Sequence, residues 1–406
     1  MLTRGGLLIF VSFCAVVWLG TNSGLAQTSV AEFHKILSEK AAFDEAGFAA
    51  LEQGQTVVRP LPVQDKREVA VCGLVGLEVP AEVFLQSFRE GMTRKLNPAI
   101  LEIGKFSTAP TLDDLHSLTF EDQDLDDMKE CAAGDCQLKL SAAMIQRFHK
   151  EIDFQAADYR IKASLLLKQM LLDYVRDYST RGDVALIEYN DKPREISLAD
   201  EQRSLMSASG FVSEVLPKFP QSLKGFHPPE LRLVENAIVW SKIKFGLKPV
   251  FTINHIMIYK REAQSGPQVL VASKQIYANH YYNSSLALTA FVSVPGASPG
   301  SYLFYENRSR TDGLEGMFGR IKRGIVENKA IESLTAILNT SKASFNARAF
   351  DSAESSAPAP SEPSWRRWKV GRVYVFLCLL VITGLFAVYA FGNNGWKGGF
   401  SGGAQQ

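Results

Sequence analysis

The sequence predicts an α+β fold: an antiparallel β-meander packed on a long C-terminal helix, with an inserted helical block ahead of it and one C-terminal transmembrane helix behind. Three observations point there. Five β-type runs follow one another between Ile238 and Glu306, separated by short turn-forming segments. Leu314–Leu338 then repeats its apolar residues at helical spacing. Finally, Val370–Phe391 reads VGRVYVFLCLLVITGLFAVYAF, apolar or small apart from Arg372, and a bilayer span takes ~20 such residues.

The chain has 406 residues and a formal net charge of +1, so no global basic field points to nucleic acid. Residues 1–26 place Arg4 before an apolar run from Leu7 to Leu19 and end on Gly24-Leu25-Ala26. That is the layout of a secretory signal peptide cut after Ala26; an uncleaved N-terminal anchor is the alternative, and both export the domain 27–350. Without leader and anchor, roughly 310 residues remain for folded structure. Cys14 lies in the leader and Cys378 in the span. Cys131 and Cys136 flank a Gly-Asp turn at a spacing a short-loop disulfide can close, which an exported domain favours over two free thiols. No further ligand stands near them at metal-binding spacing. Cys72, inside EVAVCGLVGLEV, reads as a buried small hydrophobe.

Taken in order, a short amphipathic helix is expected around Ala31–Ser38 and a β-branched strand over Glu68–Val79. Pro80 opens a helix, Ala81–Leu96, with Val83, Phe84 and Phe88 on one stripe, and Ile100–Phe106 suits a second strand. The acidic stretch Phe120–Glu130 alternates Asp122, Asp124 and Asp126 like a calcium loop, but Asp127 stands where Gly is needed and Ala133 where Glu is needed. Its carboxylates are better placed in the first turn of a helix, against the N-terminal dipole. Ser141 caps a helical region whose spacing persists through Tyr178. A strand follows at Val184–Tyr189, then a helix from Leu198 to Leu216 stopped by Pro217 and Pro220. Lys218–Pro229 divides a helix-rich part, 27–229, from the meander and its helix, 230–350. The meander strands are Ile238–Phe245, Pro249–Tyr259, Gln268–Tyr282, Leu286–Val294 and Tyr302–Glu306, antiparallel because their connections are short. The closing helix shows Leu314, Ile321, Ile325, Ile331, Leu334 and Leu338 on one face and must cover the sheet. Residues 351–369 form a Pro/Ser/Ala-rich linker and a basic-aromatic flank, 370–391 the span, and 392–406 a short polar tail.

Glu68–Leu96 with Asn236–Leu338, several antiparallel strands followed by one long helix, resembles the helix-grip architecture of START-like ligand-binding domains. The resemblance is one of topology, without a short motif, and the helical block from Leu112 to Leu216 departs from it. It implies a curved sheet wrapped around the last helix and an apolar cavity between them. The stretches ALIEYND, ASKQIYANHYYNSSLALTAFV and SYLFYENRSR also resemble exported bacterial proteins of unknown function, which implies a bacterial envelope but does not point to an activity.

No P-loop, Rossmann glycine fingerprint, HExxH, G-x-S-x-G elbow or CxxC is present. The polar cluster with chemistry in it is His255 and Tyr259 on one strand with Tyr277 and His280 on the next. About four residues of strand rise separate the two histidines, roughly 13 Å, too far to share a metal or a proton. They are expected as semi-buried sheet residues or as the polar end of a ligand cavity. Arg308, Arg310, Arg320, Lys322 and Arg323 crowd the junction of last strand and last helix, as a solvated face or one that meets anionic head groups. Trp365, Arg366, Arg367, Trp368 and Lys369 stand at one mouth of the span and Trp396 and Lys397 at the other, where interfacial anchors belong. The basic excess before the span would keep the domain in the cytoplasm, whereas the leader exports it. The leader decides, because long domains translocate largely regardless of flanking charge.

The expected function is therefore a membrane-anchored extracytoplasmic binding module for an apolar or lipid-like ligand, with the bilayer itself as partner and no nucleic acid or cofactor. An envelope interaction or scaffold module is the second expectation. An enzyme using His255 or His280 as acid–base is the third.

Overall fold

The computed structural model describes residues 30–92, 99–215, 223–226, 233–244, 248–260, 267–293, 300–316 and 319–354. The expected leader, linker, flank Trp365–Lys369, span Val370–Phe391 and polar tail lie outside them. Among the described residues no helix is long and apolar enough to cross a membrane.

Eight strands make one antiparallel sheet: β1 (Val57–Pro60), β2 (Glu68–Leu77), β3 (Ile100–Lys105), β6 (Leu233–Ile243), β7 (Val250–Lys260), β8 (Pro267–Ala278), β9 (Ser284–Ser293) and β10 (Ser301–Arg310). Their spatial order is β1-β2-β10-β9-β8-β7-β6-β3. The five-strand meander is present as β6–β10, and the two early strands extend it at opposite ends. β2 runs antiparallel to β10 along its whole length, Ser301 facing Leu77 and Arg310 facing Glu68, while β3 pairs with β6. The helix-rich and β-rich parts of the sequence thus share one sheet.

Strand alternation sends neighbouring side chains to opposite faces. On the first, Val71 and Val75 of β2, Leu303 of β10, Phe291 of β9, Val271 of β8 and Ile256 of β7 join one apolar cluster. Its cover is α3 (Ala81–Gly91), through Phe84 and Phe88, and the C-terminal helix α9 (Gly319–Glu354), through Leu334, Leu338 and Phe345. We call this the α9 face. Close approach is built in at β2, where a Cβ on Gly73 would stand 2.6 Å from Leu338 Cδ1 and 3.2 Å from Leu334 Cδ2.

The second face has two apolar clusters. Over β2, β10 and β9 lie α1 (Val30–Ala41), α2 (Glu45–Glu52), α7 (Leu198–Ala208) and α8 (Gly210–Val215), with Phe33, Leu37, Leu205 and Phe211 against Cys72, Leu74 and Phe304. Over β6–β8 lie α4 (Asp122–Asp127), α5 (Ala142–Glu151) and α6 (Tyr159–Arg181), with Phe148, Leu171 and Tyr178 against Trp240, Phe251 and Tyr277. Here too a glycine admits a large neighbour. Gly104 of β3 pairs with Trp240, and a Cβ there would be 2.5 Å from the indole.

Several elements depart from expectation. The helical region from Ser141 to Tyr178 is two helices, because Ile152 is extended and residues 152–158 turn the chain before α6. The expected strand Val184–Tyr189 is a 3-10 turn, Gly182–Ala185, then a two-residue strand, β4 (Glu188–Tyr189), paired with β5 (Ile196–Ser197). The helix from Leu198 breaks at Ser209, whose extended backbone ends α7 and whose hydroxyl donates to buried Glu306. The last helix begins at Gly319, after a 3-10 turn at Asp312–Leu314, and runs on to Glu354. Ile321 and Ile325 are exposed in its first turns, and the buried stripe is Ala330, Leu334, Ile337, Leu338, Ser341 and Phe345.

Candidate functional site

His255, Tyr259 and Tyr277 stand on the second face, away from α9. His255 is fully buried: its Nε2 lies 2.6 Å from Asn236 Oδ1 and its Nδ1 2.8 Å from the Tyr178 hydroxyl. A neutral ring donating to Asn236 and accepting from Tyr178 satisfies both contacts, and neither nitrogen is left for a substrate. Tyr277 is buried among Tyr174, Tyr189 and Phe251, and its hydroxyl has no hydrogen-bond partner among the described residues. Burial pushes that hydroxyl's pKa well up. Tyr259 is half-buried against the cluster around Leu270 and Met257.

His280 stands in the loop after β8, at one end of the sheet. Its Nε2 is 2.9 Å from Asp124 Oδ2 and its Nδ1 3.2 Å from the Gln137 carbonyl. Each ring nitrogen thus meets an oxygen of the protein. Asp124 is itself buried and takes Lys248 Nζ at 3.0 Å. Burial opposes its charge, yet the hydrogen bonds from His280 and Lys248 outweigh that and hold its carboxyl below the usual carboxylate range. A pocket of about 320 Å³ opens here, lined by His280, Tyr281, Lys139, Asp191, Lys248 and Asp312 among others. Tyr281 has φ of 58°, a left-handed position unusual for an aromatic residue, and its hydroxyl accepts from the Lys248 backbone N–H. The disulfide between Cys131 and Cys136, Cα atoms 4.4 Å apart, closes the loop that presents Gln137 to His280. This end of the sheet is cross-linked at every turn, and both nitrogens of the His280 ring are taken by protein. Among the described residues no group of three or more His, Cys, Asp or Glu is placed to hold a metal.

Arg308 and Arg310, expected in a solvated basic face, are buried on the second face with Tyr302 and Phe304. Arg308 donates to Glu306 Oε1 at 2.6 Å and Glu68 Oε1 at 2.8 Å, while Arg310 reaches Glu68 Oε2 at 2.9 Å and Glu201 Oε2 at 3.0 Å. Arg67 joins from Glu201 Oε1 at 2.8 Å. Burial pushes the Glu306 carboxyl up, against the pull of Arg308. Lys274 is also on this face and pairs with Asp183. Arg320 and Lys322 remain exposed.

The α9 face carries a different polar feature that the sequence reading passed over. Ser241 of β6, Thr252 and Asn254 of β7, Ser273 of β8, Thr289 and Ser285 of β9, and Asn307 and Ser309 of β10 are all buried. Their positions alternate with residues of the second face, so they form a band across the sheet framed by the apolar residues of the α9 face. At the β6 side Ser241, Thr252 and Asn254 bond one another, and at the β10 side Ser285, Ser309 and Asn307 do the same. Between them the hydroxyls of Ser273 and Thr289 have no hydrogen-bond partner among the described residues. Val271 faces Thr289 and Ser273 faces Ala287, so the two are diagonal neighbours, ~7–8 Å apart. Each such buried hydroxyl costs about 1–3 kcal/mol while unpaired. The sequence signal was available: Ser285-x-Ala287-x-Thr289 and Asn307-x-Ser309 are polar at period two inside strongly β-type runs. No protein-family model, curated protein or solved structure matches the chain.

Proposed function

We propose that the chain is a membrane-anchored, extracytoplasmic binding domain for an apolar, lipid-like ligand, seated between the α9 face and the helices α3 and α9. The observation that carries this is the buried polar band, with two hydroxyls at its centre that have no partner among the described residues, framed by the apolar residues of the layer. A folded core keeps such groups paired unless something else is there to pair them. A ligand with an apolar body and one polar end meets both requirements of the layer. The anchor and the leader come from the sequence alone, and the START-like resemblance is supported by the course of the chain: an opening strand and helix, β2 and α3, then an antiparallel meander and a last helix against one face. The polar end of the site is here Ser273 and Thr289, in place of the His255, Tyr259, Tyr277 and His280 set.

Lipid extraction from the full-length protein, purified from membranes and analysed by mass spectrometry, tests it. One lipid class should be enriched over the bulk membrane extract, and Ala287→Phe, which sets a bulky ring between the facing residues Ser273 and Asn307, should abolish the enrichment. A wild-type extract indistinguishable from bulk lipid sinks the idea.

A scaffold role has one observation in its favour. Ile161 and Leu165, one turn apart on α6, are 74% and 57% exposed, and paired apolar side chains in that position suit a docking helix. Crosslinking from position 165 in intact cells should then capture a protein, and recovery of lipid adducts alone would remove the case for it.

A further inference from the structure

We infer that the ligand carries an uncharged, hydrogen-bonding head, a hydroxyl or ester group on an apolar chain, held at Ser273 and Thr289; this rests on the binding function proposed above. The sheet segregates its buried polar groups by charge. Glu68, Lys242, Lys274, Glu306, Arg308 and Arg310 all point to the second face, where each has an ionic partner. Among the described residues, the buried polar band of the α9 face is uncharged: serine, threonine, asparagine and, opposite Asn254, Gln275. Charged side chains on that face stand at its rim and are already paired, Lys260 with Glu82 at 2.9 Å and Lys105 with Glu235 at 2.8 Å. A carboxylate or phosphate head entering the layer would lose its water and find no cation, which disfavours it strongly. An ester or alcohol asks only for hydroxyl partners. Ser273 and Thr289 can each donate one hydrogen bond and accept others, so one carbonyl or hydroxyl lying between them satisfies both. The flanking trios bond within themselves, and Ser273 and Thr289 stand between them.

The test uses the full chain in phosphatidylcholine nanodiscs and two photoreactive probes of equal chain length, a 1-acylglycerol and a fatty acid, each with a diazirine in the acyl chain. Labelled peptides are mapped by mass spectrometry. The acylglycerol should label α3, α9 or the strands β8 and β9 about tenfold more than the fatty acid, the ratio expected when one head is left ionic and unpaired. Ser273→Ala combined with Thr289→Val should cut acylglycerol labelling about five- to tenfold while leaving thermal stability equal or higher, because two unpaired buried hydroxyls are gone. Equal or stronger labelling by the fatty acid, or unchanged labelling of the double variant, overturns the neutral head while leaving the binding function standing. Absence of labelling in these elements by either probe overturns both.

Discussion

At the scale of single residues, the buried charges divide into those that tie distant segments together and those with local partners. Asp124 belongs to the first group, joining α4 to the loop after β8 through His280 and to Lys248. Its ionised form is favoured in the fold, so its contribution is fully present above about pH 4 and disappears as pH falls through its lowered folded value. Lys248 works in the opposite sense. Burial disfavours its charge, but the bonds to Asp127 and Asp124 raise its pKa, so its contribution holds below the ordinary lysine range and is lost as pH rises through the folded value. Asp124→Asn should cost roughly 1.5–3 kcal/mol at pH 7, since it weakens the bonds that a buried carboxylate makes to Lys248 and His280. Urea titrations of both proteins should show that gap closing below about pH 4; a gap that stays constant to pH 3 would mean Asp124 acts through shape alone. None of this was legible in the sequence. The carboxylates of 122–127 read as helix-dipole partners because His280 lies 156 residues away. Arg308 and Arg310 were misplaced for the same reason. Alternation alone puts them on the face of Tyr302 and Phe304, but burying them needs Glu68, 240 and 242 residues distant.

At the scale of elements, what local pattern could specify was legible, and what needed a partner was not. The strands β6–β10 stand out because both faces are apolar over most of their length and turn formers separate them. β1 is four residues long and ends in Pro60, too short for a periodicity, and exists because β2 offers it an edge, Val57 facing Leu74. The start of α9 was anticipated too early because Leu314, Ile321 and Ile325 fit its period, yet only the turns from Ala330 onward meet the sheet. The contact there is close, and Gly73 makes it possible. Gly73→Ala should destabilise the fold by about 1–3 kcal/mol, as overpacking does, because its Cβ collides with Leu338 and approaches Leu334 and Val58. Leu338→Ala alone should cost about 2–5 kcal/mol. If the two act through the same contact, the double variant should be less destabilised than the sum by at least ~0.5 kcal/mol. Strict additivity in denaturation midpoints would place the helix elsewhere.

For the whole molecule, the strand order decides what can fold alone. The sequence divides at 218–229 into a helix-rich and a β-rich part, and composition gives no hint that they share a sheet. They do so at both ends. β2 fills the place beside β10 with ten residue pairs, and β3 closes the far edge on β6. A fragment 230–350 would expose the β10 edge and its buried arginines without Glu68 and Glu201, and a fragment 27–229 would leave β2 with only the four-residue β1 and β3 with no neighbour. Long unpaired apolar edges aggregate, and buried guanidinium groups without carboxylates are strongly disfavoured. Expressed separately, with the leader retained on each, the two parts should be insoluble or degraded. Expressed together they should assemble, because every interface of the intact chain is available except the single covalent link. Pull-down of one tagged part with the other, followed by far-UV circular dichroism of the pair, measures this. A soluble, cooperatively melting fragment 230–350 on its own would show that the meander and α9 suffice for the fold, and that the buried Arg308 and Arg310 network follows folding without driving it.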